Sequence, residues 1–168
     1  MKAIVIADTH LQTPDKLAWL TSKHPDADAI IHAGDYTGDT VLTYLQSQRP
    51  FFGVAGNNDP EQIKRLLPEK QILTLGSYQI GLFHGHGAGS TTPDRAFQSF
   101  AGDQVDIIIF GHSHQPCIFT RNKILLLNPG SLTAKRKERW FSYIILTLEP
   151  AGPAAQLIFD SGRIPAEK

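Results

Sequence analysis

Cysteine is nearly absent from this chain of 168 residues: Cys117 stands alone, so no disulfide can form within the chain. That excludes a small disulfide-stapled scaffold and the Cys-rich clusters that hold structural zinc. Net charge is absent too, because sixteen Lys and Arg balance sixteen Asp and Glu. Proteins that grip long nucleic acid by its phosphates carry a basic excess, so this balance argues against that class of partner. No apolar run approaches the length of a membrane-spanning helix. The apolar run at the N-terminus, Ala3–Ala7, is cut short by Asp8, and no small-residue cleavage site follows, which argues against a signal peptide. A cytoplasmic protein with no membrane partner is expected. The 14 Gly and 11 Pro are dispersed, so no linker, low-complexity tract or repeat interrupts the chain. At this length one domain, residues 1–168, is expected.

What the chain does have is five short polar clusters: Asp8-Thr9-His10, Gly34-Asp35, Gly56-Asn57-Asn58-Asp59, His84-Gly85-His86 and Gly111-His112-Ser113-His114. Almost every one directly follows a run of apolar, β-branched residues. A strand that ends in a turn presents the side chains of that turn at the rim of its sheet. Five such ends side by side would collect Asp8, His10, Asp35, Asn57, His84, His112 and His114 on one rim. Imidazole, carboxylate and amide groups are the donors that borderline divalent metals take. Four His, two Asp and one Asn are too many for one ion and suit two ions that share a ligand.

The apolar pattern places these clusters on a fold. Ala3–Ala7 does not alternate with polar residues, which suits a strand buried on both faces. Ala29–His32 and Phe51–Ala55 are the next two strands. Between and after them run helices with Thr13 as N-cap and Pro14 at the first position, with Asp39 or Thr40 as cap, and with Asp59 as cap and Pro60 at the first position. This βαβαβα half reads as parallel. The second half is richer in hairpins: Gln71–Leu75 and Tyr78–Phe83 flank Gly76-Ser77. A short helix, Pro93–Phe100, opened by Thr92, precedes the strand Val105–Phe110. Cys117–Thr120, Ile124–Leu127, Trp140–Leu148 and Gln156–Phe159 complete the strands. The fold class is α/β, an αββα sandwich of two mixed β-sheets flanked by helices.

In their order and spacing the five clusters resemble those of the calcineurin-like metallophosphoesterase superfamily. They are most similar to the small single-domain bacterial and archaeal phosphodiesterases whose eukaryotic relative is a retromer subunit. The resemblance covers residues 1 to about 148 and extends to Asn128-Pro129-Gly130-Ser131. It implies that Asp8, His10 and His114 hold one metal, that Asn57, His84 and His112 hold a second, and that Asp35 bridges them. It implies two divalent ions, taken as Mn²⁺, with Zn²⁺, Fe or Ni²⁺ equally suited to the donors. It also implies phosphodiester hydrolysis of small phosphate esters by a metal-bridging hydroxide. The alternatives are a phosphomonoesterase and a non-catalytic protein-binding scaffold on the same fold. The retromer relative lacks the His of the first cluster; His10 is retained here, which favours an enzyme.

Two further residues are candidates for catalysis. Larger members of the superfamily usually have His where Asp59 stands. An aspartate ionises at about pH 3.9 and is a poor proton donor at neutral pH, so Asp59 is expected to orient water or His86, besides capping its helix. His86, two residues beyond a ligand, is placed to touch substrate. His32 reads as a packed residue. Lys135-Arg136-Lys137-Glu138-Arg139 reads as a solvated loop or an anion-steering patch at the rim. The hairpin Cys117–Leu127 and the tail 161–168 are candidate contacts for a homo-oligomer.

Overall fold

The computed structural model describes residues 1–161. Three parallel strands form the centre of the first sheet: β1 (Lys2–Ile6), β2 (Ala29–His32) and β3 (Phe51–Gly53), with Ile4 opposite Ile30 and Ile31 opposite Phe52. Two antiparallel strands, β9 (Phe141–Glu149) and β10 (Gly152–Asp160), extend it on the β1 side to the order β10-β9-β1-β2-β3. The second sheet has the order β4-β5-β6-β8-β7. Its members are β4 (Lys70–Leu75), β5 (Tyr78–Phe83), β6 (Ile107–Ile109), β7 (Cys117–Arg121) and β8 (Ile124–Asn128). There β5, β6 and β8 run parallel while β4 and β7 are antiparallel edges.

The strand period of two explains the layers. Ala3, Val5 and Ala7 point into an apolar layer between the sheets, where they join Ile31, Leu82, Ile107, Ile109 and Leu127. Their neighbours Ile4 and Ile6 point the other way and pack with Leu17, Leu20, Leu42, Leu45 and Ile63. Those residues come from α1 (Asp15–Lys23), α2 (Asp39–Gln48) and α3 (Glu61–Leu66). On the far side of the second sheet Ile108, Phe110 and Leu126 pack with Ala96 and Phe100, supplied by and next to α4 (Thr92–Ser99). Each fully buried aliphatic side chain contributes about 1.5–3 kcal/mol, so three such layers give the rim of the sheets a rigid support. Two mixed sheets flanked by helices are the αββα sandwich expected.

Several boundaries differ from expectation. Strand β3 stops at Gly53, because the next residues peel off toward the end of α3: the Ala55 amide donates to the carbonyl of Pro68 at 2.9 Å. Strand β10 starts four residues earlier than its composition suggests. It pairs with the whole of β9, and that long ladder overrides the weak strand propensity of Gly152-Pro153-Ala154-Ala155. Pro153 is tolerated because β10 is an edge strand. Pro14 and Gly38, not Thr13 and Asp39 or Thr40, occupy the N-cap positions of α1 and α2. Thr91, not Thr92, caps α4 and accepts from the amide of Asp94. Asp59 does not cap α3, whose N-cap is Pro60. Apart from Ser161, the tail proposed as an oligomer contact lies outside the described residues.

Candidate metal centre

The clusters follow the carboxyl ends of β1, β2, β3, β5 and β6, where ligand sites of parallel sheets lie. Backbone hydrogen bonds knit those ends together. The amide of Asp8 donates to the carbonyl of Gly34 at 2.9 Å, and that of Gly111 donates to His84 at 3.0 Å. The amide of His112 donates to Oδ2 of Asp8 at 2.8 Å, which links the two sheets directly.

The turns are tight enough to force unusual backbone. Asp8, His10, Asp35, His112 and His114 all have positive φ, between 43° and 68°. Asp and His tolerate this left-handed region better than most residues, yet each instance costs free energy, and such strain collects at functional sites. Two of the glycines are explained by close approach. A Cβ on Gly56 would lie 2.1 Å from Oδ1 of Asp35, and one on Gly111 would lie 2.8 Å from Oδ2 of Asp8. Gly-Asn and Gly-His in these clusters therefore bring backbone against the ligands next door.

Five of the seven expected ligands meet. Nε2 of His114 is 3.3 Å from Oδ1 of Asp8, and Nε2 of His84 is 3.3 Å from Oδ2 of Asp35 and 3.9 Å from Oδ1 of Asp8. Nε2 of His10 is 3.6 Å from Oδ2 of Asp35, 4.0 Å from Oδ1 of Asp8 and 3.3 Å from Nε2 of His114. Among the described residues Asp8, His10 and His114 form one group whose ligand atoms lie within 4.8 Å of one another, and Asp8, Asp35 and His84 form another. Asp8 belongs to both groups, while Asp35 touches a histidine of each.

The tautomers explain what this convergence needs. Nδ1–H of His84 donates to the carbonyl of Ala33 at 2.7 Å, and Nδ1–H of His114 donates to that of Ala134. A neutral ring so tied presents its Nε2 lone pair to the centre. Lone pairs and carboxylate oxygens then face one another inside the protein, and Asp8 Oδ1, His84 Nε2 and His112 Nδ1 are buried without a hydrogen-bond partner. Only a cation relieves that arrangement, either a proton or a metal ion, and the mixed N and O donors fit a divalent transition metal.

The electrostatics follow. Burial alone would push the Asp35 carboxyl up, but contact with His84 and hydrogen bonds from Asn58 outweigh it and hold the carboxyl well below the usual carboxylate range. Burial likewise opposes charge on His84, yet Asp35, Asp8 and the Ala33 carbonyl outweigh it and raise its pKa. Burial lowers His10 despite its two carboxylate neighbours. Burial, and then repulsion from His84, press His112 down to about 4.

The other two expected ligands stand slightly apart. The ring of His112 lies edge-on to that of His84, with centroids 5.2 Å apart. Asn57 is exposed and lines a cleft beside the centre. Its neighbour Asn58 makes the contacts that sequence reasoning did not assign: its amide donates to Oδ1 of Asp35 at 2.9 Å and its side chain to Oδ2 at 2.6 Å. His86 also lines the cleft, with Nε2 3.2 Å from Oε1 of Glu69.

Asp59 is buried and wholly engaged. Its two oxygens accept from the amides of Asp35 at 3.0 Å, Tyr36 at 2.6 Å, Thr37 at 3.0 Å and Gly56 at 2.8 Å. Four donors fill the lone-pair sites of a carboxylate. The helix-capping expectation for Asp59 is thus corrected: it clamps the loop of Asp35 to the loop of Asn57. Asn128 and Ser131, noticed only as part of a resemblance, prove to be braces. The side chain of Asn128 donates to the carbonyl of Gly111 at 3.0 Å, and Oγ of Ser131 donates to that of Asp8 at 2.6 Å. His32 is packed as expected: Nδ1 accepts from the Gly34 amide, Nε2–H donates to Thr9, and the ring stacks on Tyr36.

A two-sheet sandwich with this donor set at its rim defines a metal-dependent phosphoesterase domain. The chain belongs to the calcineurin-like phosphoesterase superfamily, whose domain model matches residues 1–151. It is 36% identical over 138 residues to a protein of Methanothermobacter thermautotrophicus named "probable metallophosphoesterase", which covers 79% of this chain and 77% of that one. A protein of Bacillus subtilis with the same description is 32% identical over 151 residues, 89% of this chain and 85% of its own length. Among solved structures, an archaeal phosphodiesterase superposes with a TM-score of 0.76 at 19% identity, covering 94% of this chain and 100% of that chain. Vps29 of Entamoeba histolytica, solved with Zn²⁺, superposes with a TM-score of 0.71 at 20% identity, covering 95% and 99%. These two likenesses show the fold. Membership of the family makes the protein a phosphoester hydrolase that uses divalent metal ions. Among the described residues no helix is long and apolar enough to cross a membrane.

Proposed function

We propose that the protein is a cytoplasmic phosphodiesterase acting on small phosphate esters with two divalent ions, Mn²⁺ first among them. The observation that carries this reading is the meeting of three Nε2 atoms with two buried carboxylates at 3.3–4.0 Å. Asp8, His10 and His114 would hold one ion, and His84, His112 and Asn57 the other, with Asp35 shared between them. Bound there, the ion pair supplies Lewis acidity that lowers the pKa of water and neutralises phosphate charge.

The residues of the chain do the rest. The Nδ1–H bonds of His84 and His114 to backbone carbonyls keep each Nε2 aimed at the centre. Asp59 is a positioning residue, holding Asp35 through the Asp35, Tyr36 and Thr37 amides. Its carboxylate, filled by four donors, offers nothing to a leaving group. Tight ligation leaves the outer side of the centre for phosphate, next to His86. With Asp8 and Asp35 as the carboxylate ligands, two divalent ions leave net positive charge there, which suits an anionic ester.

The test is metal analysis joined to hydrolysis of bis(nitrophenyl) phosphate and nitrophenyl phosphate. Two ions per chain, faster cleavage of the diester, loss of activity with a chelator and its return with Mn²⁺ are the expected results. Faster cleavage of the monoester would point to a phosphomonoesterase. No hydrolysis with any divalent ion would point to the protein-binding scaffold.

A further inference from the structure

We infer that the cleft beside the metal centre binds an uncharged, hydroxyl-bearing group of the substrate, a sugar or small polyol esterified to the phosphate. The inference rests on the phosphoesterase reading above and adds the class of alcohol.

The cleft is shaped by Ala55 and Asn57 after β3, by Lys64 and Leu67 in and after α3, and by Glu69 and His86. Its volume is about 310 Å³. That is the low end for small-molecule sites, room for one pentose or glycerol unit and not for a polymer. Asn57 and His86 lie on its wall and also belong to the clusters that build the centre, so a phosphate held there would extend one ester arm into the cleft.

The lining selects what that arm carries. Glu69 is an acceptor: Oε1 meets His86 at 3.2 Å, and its side chain is 71% exposed, so its acceptor capacity is available to a ligand. Lys64 is a donor: Nζ gives one hydrogen bond to the carbonyl of Asn57 at 3.2 Å and approaches Glu61 at 3.8 Å, and an ammonium has three protons to give. Ala55 and Leu67 add an apolar wall. A hydroxyl both donates and accepts, and the C–H face of a sugar packs on apolar surface, so all three elements are used together. A second phosphate is disfavoured, because Glu69 in the lining offsets the charge of Lys64, which also approaches Glu61. A plain alkyl or aryl arm would desolvate Glu69 and Lys64 without returning a hydrogen bond. The basic loop Lys135–Arg139 does not enter this choice. None of its residues lines the cleft; Lys135 and Arg136 line a separate groove with Ser113 and Gln115.

The experiment is calorimetric titration of the Mn²⁺-loaded protein with ribose 5-phosphate and with methyl phosphate. The two share a head group and differ only in the arm. Ribose 5-phosphate is expected to bind about tenfold tighter, the worth of one or two hydrogen bonds. Glu69→Ala and Lys64→Ala are each expected to cut that ratio about threefold or more. Using the ratio cancels any change a substitution causes at the metals. Equal affinities in the unmodified protein, failure of both phosphates to bind, or a ratio that survives both substitutions would overturn the inference. Hydrolysis of bis(nitrophenyl) phosphate separates the two readings. Cleavage without a sugar preference removes only the cleft assignment, and a sugar preference without cleavage removes only the esterase.

Discussion

The two sheets bring unlike chemistry to one rim. The strands of the first end in Asp8, His10, Asp35 and Asn57, and those of the second in His84, His86, His112 and His114. Carboxylates and amide come from one side, and imidazoles, apart from His10, from the other. The first sheet supplies both carboxylates of the centre, and the second supplies most of its imidazoles, so neither sheet alone assembles the donor set. The apolar layer between the sheets, from Val5 and Ile31 to Leu82 and Ile109, therefore sets the metal geometry as well as stability. The carboxylates and the imidazoles are braced differently: His84 and His114 are tied by Nδ1 to backbone carbonyls, and the first sheet's ligands are held by other side chains. Asp35 is held by Asn58 and, through the loop amides, by Asp59, and the carbonyl of Asp8 accepts from Ser131. On the second sheet His112 keeps a buried, unpartnered Nδ1.

The strongest way to break the contrast is at Asp35. In the proposed arrangement Asp35, as a shared carboxylate, would serve both ions, whereas His10 would serve one. Asp35→Asn should lower kcat/KM on bis(nitrophenyl) phosphate by more than about 100-fold and weaken both metals. His10→Asn should mainly weaken one. Calorimetric Mn²⁺ titration distinguishes the two, and two tight ions retained in Asp35→Asn would end the bridging assignment.

Asp59 tests the bracing. Asp59→Asn replaces an acceptor oxygen with a donor facing backbone amides, at a cost of about 1–3 kcal/mol for each buried group left unpaired. Metal affinity should fall about 10–100-fold, as for other residues that orient ligands. Because Asp59 positions and does not donate a proton, kcat/KM should fall by the same factor for nitrophenyl and alkyl diesters. A larger loss on alkyl esters would make it an acid after all.

The second sheet should show itself in pH. A free His ionises near 6.5, but His112 in the folded protein does so at about 4. The unfolded chain therefore binds the extra proton first, and stability is lost as pH falls from about 6.5 to about 4. His84 is shifted upward and acts with the opposite sign: its contribution is present below its unfolded pKa and is lost as pH rises through the folded one. Thermal melts of chelator-treated protein and of His112→Asn check this. The variant should lose part of the decline on the acid side, and an unchanged profile would remove His112 from the account.

The smallest effect is expected at the rim. Arg136 is near enough to bear on His10. Lys135→Ala with Arg136→Ala should raise KM for an anionic ester about two- to threefold at low salt, with no difference at 1 M salt, where screening is complete within about 3 Å. A salt-independent change would mean direct contact in place of steering.

What could be read in the chain was local. Apolar runs ending in Asp, His and Gly located most strands and the rim residues, because a strand end and its turn are contiguous and their side-chain chemistry is printed in order. The β3 end, the caps and the reach of β10 were less legible, since pairing with β9 and the pull of Pro68 outweigh propensity.

The sequence by itself determined that a set of metal-binding donors would gather at one edge of a two-sheet sandwich. Tertiary structure alone decided how each donor is held. Asn58, not Asn57, meets Asp35, and Asp59 turns from its helix to backbone amides as far as 24 residues away. Ser131 reaches Asp8 across 123 positions, and Glu69 meets His86 over a cleft built from two sheets. Bonds of that range depend on where turns land after the layers pack, and no pattern of neighbouring residues encodes that distance.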